Sequence, residues 1–341
     1  KSTFTHLHVH TQYSILDGAA VVKTLIAKAK KDQMGAIAIT DHGNMFGAKE
    51  FHNEARKQGI KPILGCEVYV ARRSRLEKSD KSDGGGFHLV LLAKNKTGYK
   101  NLIKLVSYGW TEGFYYRPRV DKELLRKYHE GLIASSACLH GEIPWMLRHE
   151  GLDSALKALN EYREIFGADF YLEIQRHPSG DPQIDKEVLE NQIFVNQNLI
   201  KIASENGIKV IATNDVHFIN EEDAAAHDRL LCISTGKDVD DPNRLRYTRQ
   251  EWLKTQDEMK KLFSDVPAAI SNTAEIVQKV EDYDLNSNPI MPDFPIPDGF
   301  KDAYDYLKDL TYNGANAWYS EITPVIKERI DFELDTIRNM G

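Results

Sequence analysis

Residues 4–14 read FTHLHVHTQYS, in which histidines at positions 6, 8 and 10 alternate with the apolar Leu7 and Val9. In a β-strand, successive side chains point to opposite faces, so the three imidazoles would share one face. Two imidazoles spaced in this way can converge on one divalent metal ion, because histidine is the commonest metal ligand in proteins. A half-buried strand with a solvated polar face is the other interpretation, and this stretch alone leaves both open.

Short apolar runs alternate with amphipathic stretches along most of the chain. Strands are predicted at 4–9, 36–40, 62–70, 87–93, 131–137, 169–175 and 208–213. Helices are predicted between most of them, for example at 19–34 and at 185–206, the latter ending at Gly207. Repeated strand–helix units predict an α/β fold with a parallel sheet, and seven of them favour a closed barrel over an open doubly wound sheet.

Two segments interrupt this rhythm. Residues 71–86 (ARRSRLEKSDKSDGGG) are charged and end in three glycines, which predicts an exposed, mobile loop. Residues 285–300 carry four prolines and indicate a domain boundary. We therefore expect a barrel over 1–285, then a linker and a mainly helical tail over 286–341. The start at Lys1 and the end just after a helical pattern suggest a piece of a longer protein.

Composition limits the class of protein. The net charge of −7 argues against wrapping nucleic acid by bulk electrostatics, although it permits a local basic groove. Three widely spaced cysteines without a C-x-x-C pair argue against a disulfide framework and favour a reducing cytoplasm. No apolar run approaches the length of a membrane span, so no membrane association is expected.

Metal-competent side chains cluster at the predicted strand ends. In a parallel barrel, the carboxyl-terminal rim is where loops build active sites. Ten residues are therefore candidate metal ligands, namely His8, His10, Asp17, Asp41, His42, Glu67, His88, Cys138, Asp215 and His217. Singly, each has an ordinary structural interpretation, for example a buried thiol at Cys138, but together they favour a metal centre. Hydrolysis of a phosphate ester needs an activated water and cations beside the phosphate oxygens, and clustered divalent metals supply both.

Longer motifs strengthen this interpretation. The chain contains TDHGNMFG, GIKPILGCEVYV, NLIKLVSYGWTEGFYYRPRVD, GLIASSACLHGEIP and NDVH. These motifs resemble the polymerase and histidinol phosphatase (PHP) superfamily, and more closely the amino-terminal PHP domain of bacterial replicative DNA polymerase alpha subunits, over about residues 3–285. The resemblance implies a distorted (β/α)7 barrel of the PHP type, followed by a mainly helical tail that enters the polymerase core.

The resemblance also implies up to three divalent metals. One would bind His8, His10, Glu67 and Asp215. A second would share Glu67 and add His88 and Cys138, and a third would bind Asp17, His42 and His217. Zinc is the metal expected first, since Cys138 is a thiolate ligand, while Mn²⁺, Fe²⁺ and Mg²⁺ remain alternatives. His6 lies off the motif and is expected to be either a supporting or a structural residue. Asp41 is expected to orient a ligating imidazole, and Cys66 is expected in the core.

The implied activity is a metal-dependent 3′–5′ exonuclease or phosphoesterase with Asp215, His217 and Glu67 as catalytic residues. The parent would be a DNA-directed DNA polymerase acting in DNA replication. Its implied partners are the 3′ end of single-stranded DNA, its own polymerase core and other replisome subunits. Two alternatives stay open: a catalytically silent scaffold stabilised by metals, and a free-standing PHP phosphatase.

Residues 113–121 (GFYYRPRVD) are the candidate substrate contact. Tyr115 and Tyr116 could stack on bases, and Arg117 and Arg119 could hold phosphates. A loop that packs against a neighbouring polymerase core is an equally good interpretation of the same stretch.

Overall fold

A computed structural model describes residues 3–341 of the chain. These residues form two compact units, one that ends at Leu285 and one that covers Asn286–Gly341. The strands are β1 (Ala36–Ile39), β2 (Lys61–Val70), β3 (Phe87–Ala93), β4 (Phe114–Tyr115), β5 (Arg117–Val120), β6 (Leu132–Ser135), β7 (Phe170–Ile174) and β8 (Val210–Ala212). The helices of the first unit are α1 (Val22–Lys31), α2 (Ala48–Gln58), α3 (Lys96–Thr111), α4 (Lys122–Tyr128), α5 (Glu142–His149), α6 (Leu152–Phe166), α7 (Pro182–Glu187), α8 (Leu189–Asn206), α9 (Ala224–Thr235), α10 (Gln256–Leu262) and α11 (Pro267–Lys279).

The predicted α/β class is confirmed, but the prediction of a wholly parallel sheet is wrong. The strands are ordered β4-β5-β2-β3-β6-β7-β8, and β1 pairs in parallel with the first half of β2. Strand β3 runs antiparallel to both β2 and β6. No α-helix lies between β2 and β3 in this part of the described chain, and a loop connection can return a strand in the opposite direction.

The reversal of β3 matters for the site. His88 is the second residue of β3, so in a parallel sheet it would lie at the edge opposite the other candidate ligands. Because β3 is reversed, His88 pairs with Tyr69 near the carboxyl end of β2. The strand start that carries His88 therefore reaches the same rim as the strand ends that carry the other ligands.

The predicted first strand, 4–9, is not a regular β-strand, yet it lies where a strand of the sheet would lie. His6 and Val9 accept backbone hydrogen bonds from Ala38 and Thr40 on the β1 side, at 3.0 and 2.8 Å. On its other side, His8 and His10 pair with Val216, just beyond β8. The segment thus links β1 to the chain that follows β8.

Helix prediction was accurate in position but not in every boundary. The stretch predicted at 19–34 contains α1. The stretch predicted at 185–206 covers the end of α7 and all of α8, because Asp181 and Pro182 begin α7 earlier and the backbone turns at Val188. Gly207 ends α8 in the left-handed region, at φ 64°, as predicted.

The second unit begins with a proline-rich stretch that has no regular secondary structure through residue 297. Two helices follow, α12 (Ala303–Trp318) and α13 (Pro324–Met340), which confirms the helical tail. The Tyr312 hydroxyl donates to the Asp331 carboxylate and connects the two helices at 2.5 Å. Large apolar side chains such as Trp318 and Ile290 are 89% and 88% exposed. Among the helices of residues 3–341, none has the length and apolar character needed to cross a bilayer.

Candidate metal centre

His8, His10, Glu67 and Asp215 converge, although they lie far apart in the sequence. One oxygen of Asp215 lies 3.2 Å from Nε2 of both His8 and His10. The two oxygens of Glu67 lie 3.3 and 3.2 Å from the same two nitrogens. The pairing of residues 8–10 with Val216 produces this convergence, because it places the two imidazoles beside Asp215. The interpretation of residues 4–14 as a half-buried strand with a solvated polar face is wrong, since all three histidines of this stretch are fully buried.

Glu67 lies at the centre of the cluster and is 1% exposed. Besides His8 and His10, it contacts His42 through Oε2 and His88 through Oε1, each at 2.9 Å. Each carboxylate oxygen therefore faces two imidazoles. This geometry is what a carboxylate shared between two metal ions requires.

Asp17 contacts a second group of histidines in the cluster. Its Oδ2 lies 2.9 Å from Nε2 of His42 and 3.3 Å from Nε2 of His217. The ring of His10 stacks against the imidazoles of both His42 and His217, with centroid distances of 4.0 and 4.3 Å. The Tyr247 hydroxyl donates to Oδ1 of Asp17 at 2.9 Å.

Cys138 and His88 lie together in a third part of the cluster. The Cys138 sulfur lies 3.6 Å from Nδ1 of His88 and 3.7 Å from Nδ1 of His140. Burial and the charge of Glu67 raise the pKa of the Cys138 thiol well above its usual value, so a bound cation would be needed to hold it as thiolate. All nine predicted ligands thus lie in one continuous cluster.

Unsatisfied polar atoms test whether the cluster fits metal ions. Within residues 3–341, six buried atoms of the predicted ligands approach other ligand atoms of the cluster but form no well-aligned hydrogen bond. They are His8 Nε2, His10 Nε2, His42 Nδ1, Glu67 Oε2, Asp215 Oδ1 and His217 Nε2. Buried polar atoms are normally satisfied, and imidazole nitrogens and carboxylate oxygens are suitable zinc ligands. The donor set therefore fits divalent metals.

Charges within the cluster are strongly coupled. Burial lowers the pKa of the His8 imidazole, but the surrounding carboxylates, led by Asp215, outweigh burial and raise that pKa well above its usual value. Burial and the neighbouring His42 instead lower the pKa of His10. Burial raises the pKa of Asp215, but His8 and His10 outweigh it and hold that pKa below its usual range. The carboxylates thus stabilise positive charge at the position where the ligand atoms meet.

Glu173 supports the cluster from behind, and the sequence prediction missed it. It is 2% exposed, and its Oε1 accepts from Nδ1 of His8 at 2.6 Å. It also accepts from the hydroxyls of Ser135 and Thr213. A hydrogen bond at Nδ1 fixes the ring orientation and directs Nε2 toward the metal position. The available signal was a charged residue in the middle of an apolar strand, FYLEI.

Asp41 plays a comparable supporting part for His10. The Ser14 hydroxyl lies 3.0 Å from Nδ1 of His10 and donates to Asp41 Oδ1 at 2.8 Å. Asp41 thus acts on His10 through Ser14. His6 faces away from the ligand atoms, since its Nε2 contacts the Lys254 carbonyl at 2.8 Å.

The predicted substrate residues separate into two groups. Tyr116 is 67% exposed, Arg117 is exposed and Tyr115 is partly buried. Arg119, in contrast, is 1% exposed, and its guanidinium donates to four backbone carbonyls, those of Arg75, Glu77, Asp83 and Gly113. This corrects the prediction that Arg119 holds phosphates, because its donors are bonded to the chain. It also corrects the prediction that residues 71–86 form a mobile loop, since three of these carbonyls belong to that segment.

His140 and Tyr247 are further residues that the sequence analysis missed. His140 follows Cys138 with the same i, i+2 spacing as His8 and His10, which could have identified it. Tyr247 has no comparable signal, because it comes from a loop about 230 residues away from its partner Asp17. It lines a cavity of about 380 Å³, together with Arg246 and Arg249.

The chain has a mixed parallel and antiparallel β-sheet with imidazole, carboxylate and thiol groups at one rim. These features are typical of α/β proteins that are suited to bind metal ions. Residues 6–177 match the PHP domain family. The chain belongs to this family, which confirms the predicted resemblance.

Relatives over the full chain carry the name of a polymerase. The DNA polymerase III subunit alpha of Borreliella burgdorferi is 46% identical over 100% of this chain and 29% of its own length. The subunit of the same name from Treponema pallidum is 41% identical over 100% of this chain and 28% of its own length. The chain thus spans less than a third of these relatives.

Among solved structures, the chain is similar to a two-domain protein of Bacteroides vulgatus described as containing a predicted PHP-like metal-dependent phosphoesterase. The sequence identity is 13%, the TM-score is 0.40, and the match covers 80% of this chain and 63% of that protein. Similarity at this level does not define an activity.

Proposed function

We propose that this chain is the PHP part of a replicative DNA polymerase alpha subunit and that it hydrolyses phosphodiester bonds at the 3′ end of single-stranded DNA. The observation that carries this proposal is the set of buried ligand atoms that converge at one rim without well-aligned hydrogen bonds. The partial exposure of the cluster supports turnover, since the side chains of Asp17 and Asp215 are 22% and 17% exposed. A substrate phosphate could reach these groups from solvent.

The ligand assignment follows the contacts within the cluster. We assign one metal to His8, His10, Glu67 and Asp215, and a second to Glu67, His88 and Cys138. The third is assigned to Asp17, His42 and His217. Zinc suits the position with a thiolate, and Mn²⁺, Fe²⁺ or Mg²⁺ are alternatives at the others. Bound divalent cations would activate a water molecule and offset the charge of the phosphate.

The catalytic residues proposed are Asp215, His217 and Glu67. Asp215 has a left-handed backbone, at φ 48°, which is an uncommon conformation for a residue other than glycine and places it between His8 and His10. The backbone carbonyl of Asp215 lies 2.7 Å from Nδ1 of His217 and leaves Nε2 of His217 facing Asp17. Glu67 contacts four histidines of the cluster, namely His8, His10, His42 and His88.

Arg117 and the two tyrosines are proposed to bind DNA. The Arg117 guanidinium lies over the Tyr69 ring at 5.7 Å, and that ring lies 6.0 Å from the ring of His42. Arg117 therefore extends toward the metal centre and can contact a backbone phosphate there. Tyr116, which is exposed, and Tyr115 can stack on unpaired bases.

The longer parent is proposed to be a DNA-directed DNA polymerase whose partners are DNA, its own polymerase core and other replisome subunits. Sequence identities of 46% and 41% over the whole chain to two proteins named DNA polymerase III subunit alpha support this assignment. They also speak against a free-standing phosphatase, because the similarity continues through the proline-rich stretch and the tail.

Release of nucleotides from a 3′-labelled single strand tests the activity. Protein freed of metal by chelation should be inactive and should recover when Zn²⁺ or Mn²⁺ is added. Asp215→Asn should abolish the recovered activity, because it removes a charged ligand while keeping the side-chain shape. Asp257→Asn is the matched control, since Asp257 is 95% exposed on α10. If the reloaded wild type releases nothing and Asp215→Asn only lowers the melting temperature, the metals serve a structural scaffold.

A further inference from the structure

His140 lies beside the Glu67–His88–Cys138 corner without belonging to the nine predicted ligands. Its backbone carbonyl accepts from the His88 amide at 3.0 Å, and the Gly141 amide donates to the Cys138 carbonyl at 2.9 Å. The turn is closely packed, since a Cβ at Gly141 would lie 1.9 Å from the Ser136 carbonyl oxygen. The backbone therefore holds His140 and Cys138 together on the side of His88.

The ligand atoms have the spacing of a tetrahedral zinc site. With Zn–S and Zn–N bonds of about 2.3 and 2.0–2.1 Å, the sulfur-to-nitrogen edge of a tetrahedron is about 3.6 Å. The Cys138 sulfur lies 3.6 Å from Nδ1 of His88 and 3.7 Å from Nδ1 of His140. The three ligand atoms lie within 4.8 Å of one another, as a shared ion requires.

Glu67 offers the fourth corner. Its Oε1 lies 2.9 Å from the same Nδ1 of His88, about 0.5 Å shorter than a tetrahedral oxygen-to-nitrogen edge. A small outward movement of either side chain would therefore bring this edge to its tetrahedral length.

We propose that His140 is a fourth zinc ligand, which together with Glu67, His88 and Cys138 closes this metal position. Structural zinc sites have four protein ligands, whereas catalytic sites keep one position for water or substrate. This position is therefore structural, and an activated water belongs to the other metals of the cluster. The inference concerns coordination alone and stands whether or not the chain hydrolyses DNA.

Cobalt substitution and zinc retention test the proposal on the intact chain without an activity assay. Co²⁺ in the wild type should give a thiolate charge-transfer band and the intense visible absorption of a four-coordinate ion. In His140→Ala, the thiolate band should remain, while the visible absorption weakens as water molecules replace the imidazole and raise the coordination number. Zinc competition with a chelator should show a loss of affinity greater than the roughly 10–100-fold typical of losing a supporting residue.

Two further variants make the outcome decisive. His129→Ala removes an exposed histidine whose Nδ1 faces the Arg126 carbonyl, and it should leave the spectrum and the retained zinc unchanged. His140→Cys replaces one zinc ligand by another and should restore four-coordinate absorption with an additional thiolate band. If His140→Ala fails to fold, the appearance or absence of that additional band in His140→Cys decides. An unchanged spectrum and unchanged zinc affinity in His140→Ala would overturn the proposal.

Discussion

Glu173 offers the sharpest test of how the protein prepares its metal site. The substitution Glu173→Gln keeps the size of the side chain and removes its charge. The amide oxygen can still accept from Nδ1 of His8, which donates to Glu173 at 2.6 Å. The hydroxyls of Ser135 and Thr213, which now donate to Glu173, can rotate to accept from the new amide group. We therefore expect the fold to persist.

The loss should appear in metal affinity. A carboxylate behind a ligating imidazole increases the basicity of the ring, and its loss typically weakens metal binding about 10–100-fold. Since each tenfold change corresponds to about 1.4 kcal/mol, the metal bound by His8 should lose about 1.4–2.8 kcal/mol. The effect should be at the upper end of this range, because Glu173 is buried and its charge is poorly screened by solvent.

Competition between the protein and a zinc-sensitive chelator measures this loss directly. Glu205→Gln is the matched control, since Glu205 is 58% exposed on α8 and its contact with Lys201 is 3.9 Å long. Circular dichroism of the metal-free proteins verifies that both variants are folded. An unchanged zinc affinity in a folded Glu173→Gln variant would refute the idea that Glu173 tunes His8.

Five further outcomes are expected. Chelation should lower the melting temperature, because a metal present at 100 times its Kd stabilises the folded state by about 2.7 kcal/mol. The double variant His8→Ala with His10→Ala should lose most of that response in the same thermal scan, and an unchanged response would place the metals elsewhere. Arg119→Lys should reduce the free energy of unfolding in urea by about 2–3 kcal/mol, because carbonyls held by a buried guanidinium lose partners; weaker DNA binding at unchanged stability would contradict this structural role. Gly98→Ala should cost about 1–3 kcal/mol in the same urea titration, since its Cβ would lie 1.8 Å from the Gly131 carbonyl oxygen, and no loss would show that α3 can shift. Any nuclease activity should fall as salt increases, because the substrate is an anion, and a rate that is independent of salt would argue against DNA as the substrate.

The sequence predicted the position of most strands but not the direction of one. The apolar runs at 36–40, 62–70 and 87–93 contain β1, β2 and β3, with boundaries that differ by at most one residue. Hydrophobic periodicity reports which residues are buried and carries no information about strand direction. The direction of β3 depends on the connection before it, where the glycine-rich loop replaces a helix.

Site residues were predictable where they follow a sequence motif. They were not predictable where contacts between distant parts of the chain determine which side chains are buried. The i, i+2 spacing predicted His8 with His10, and Asp215 with His217. Arg119 was assigned to substrate because sequence alone does not show burial. Its register opposite Tyr69 places it in the sheet rather than at the surface.

The extended segment 4–10 has a consequence for synthesis of the protein. It can pair with β1 as soon as residues 38–40 emerge from the ribosome, but its other neighbour, Val216, comes much later. At roughly 5–20 residues per second, the ribosome needs on the order of 10–40 s to make the ~200 residues in between. During that interval His8 and His10 lack Asp215, and the metal position proposed for these three residues is incomplete. The two histidines therefore wait for a residue translated much later before their proposed coordination is complete.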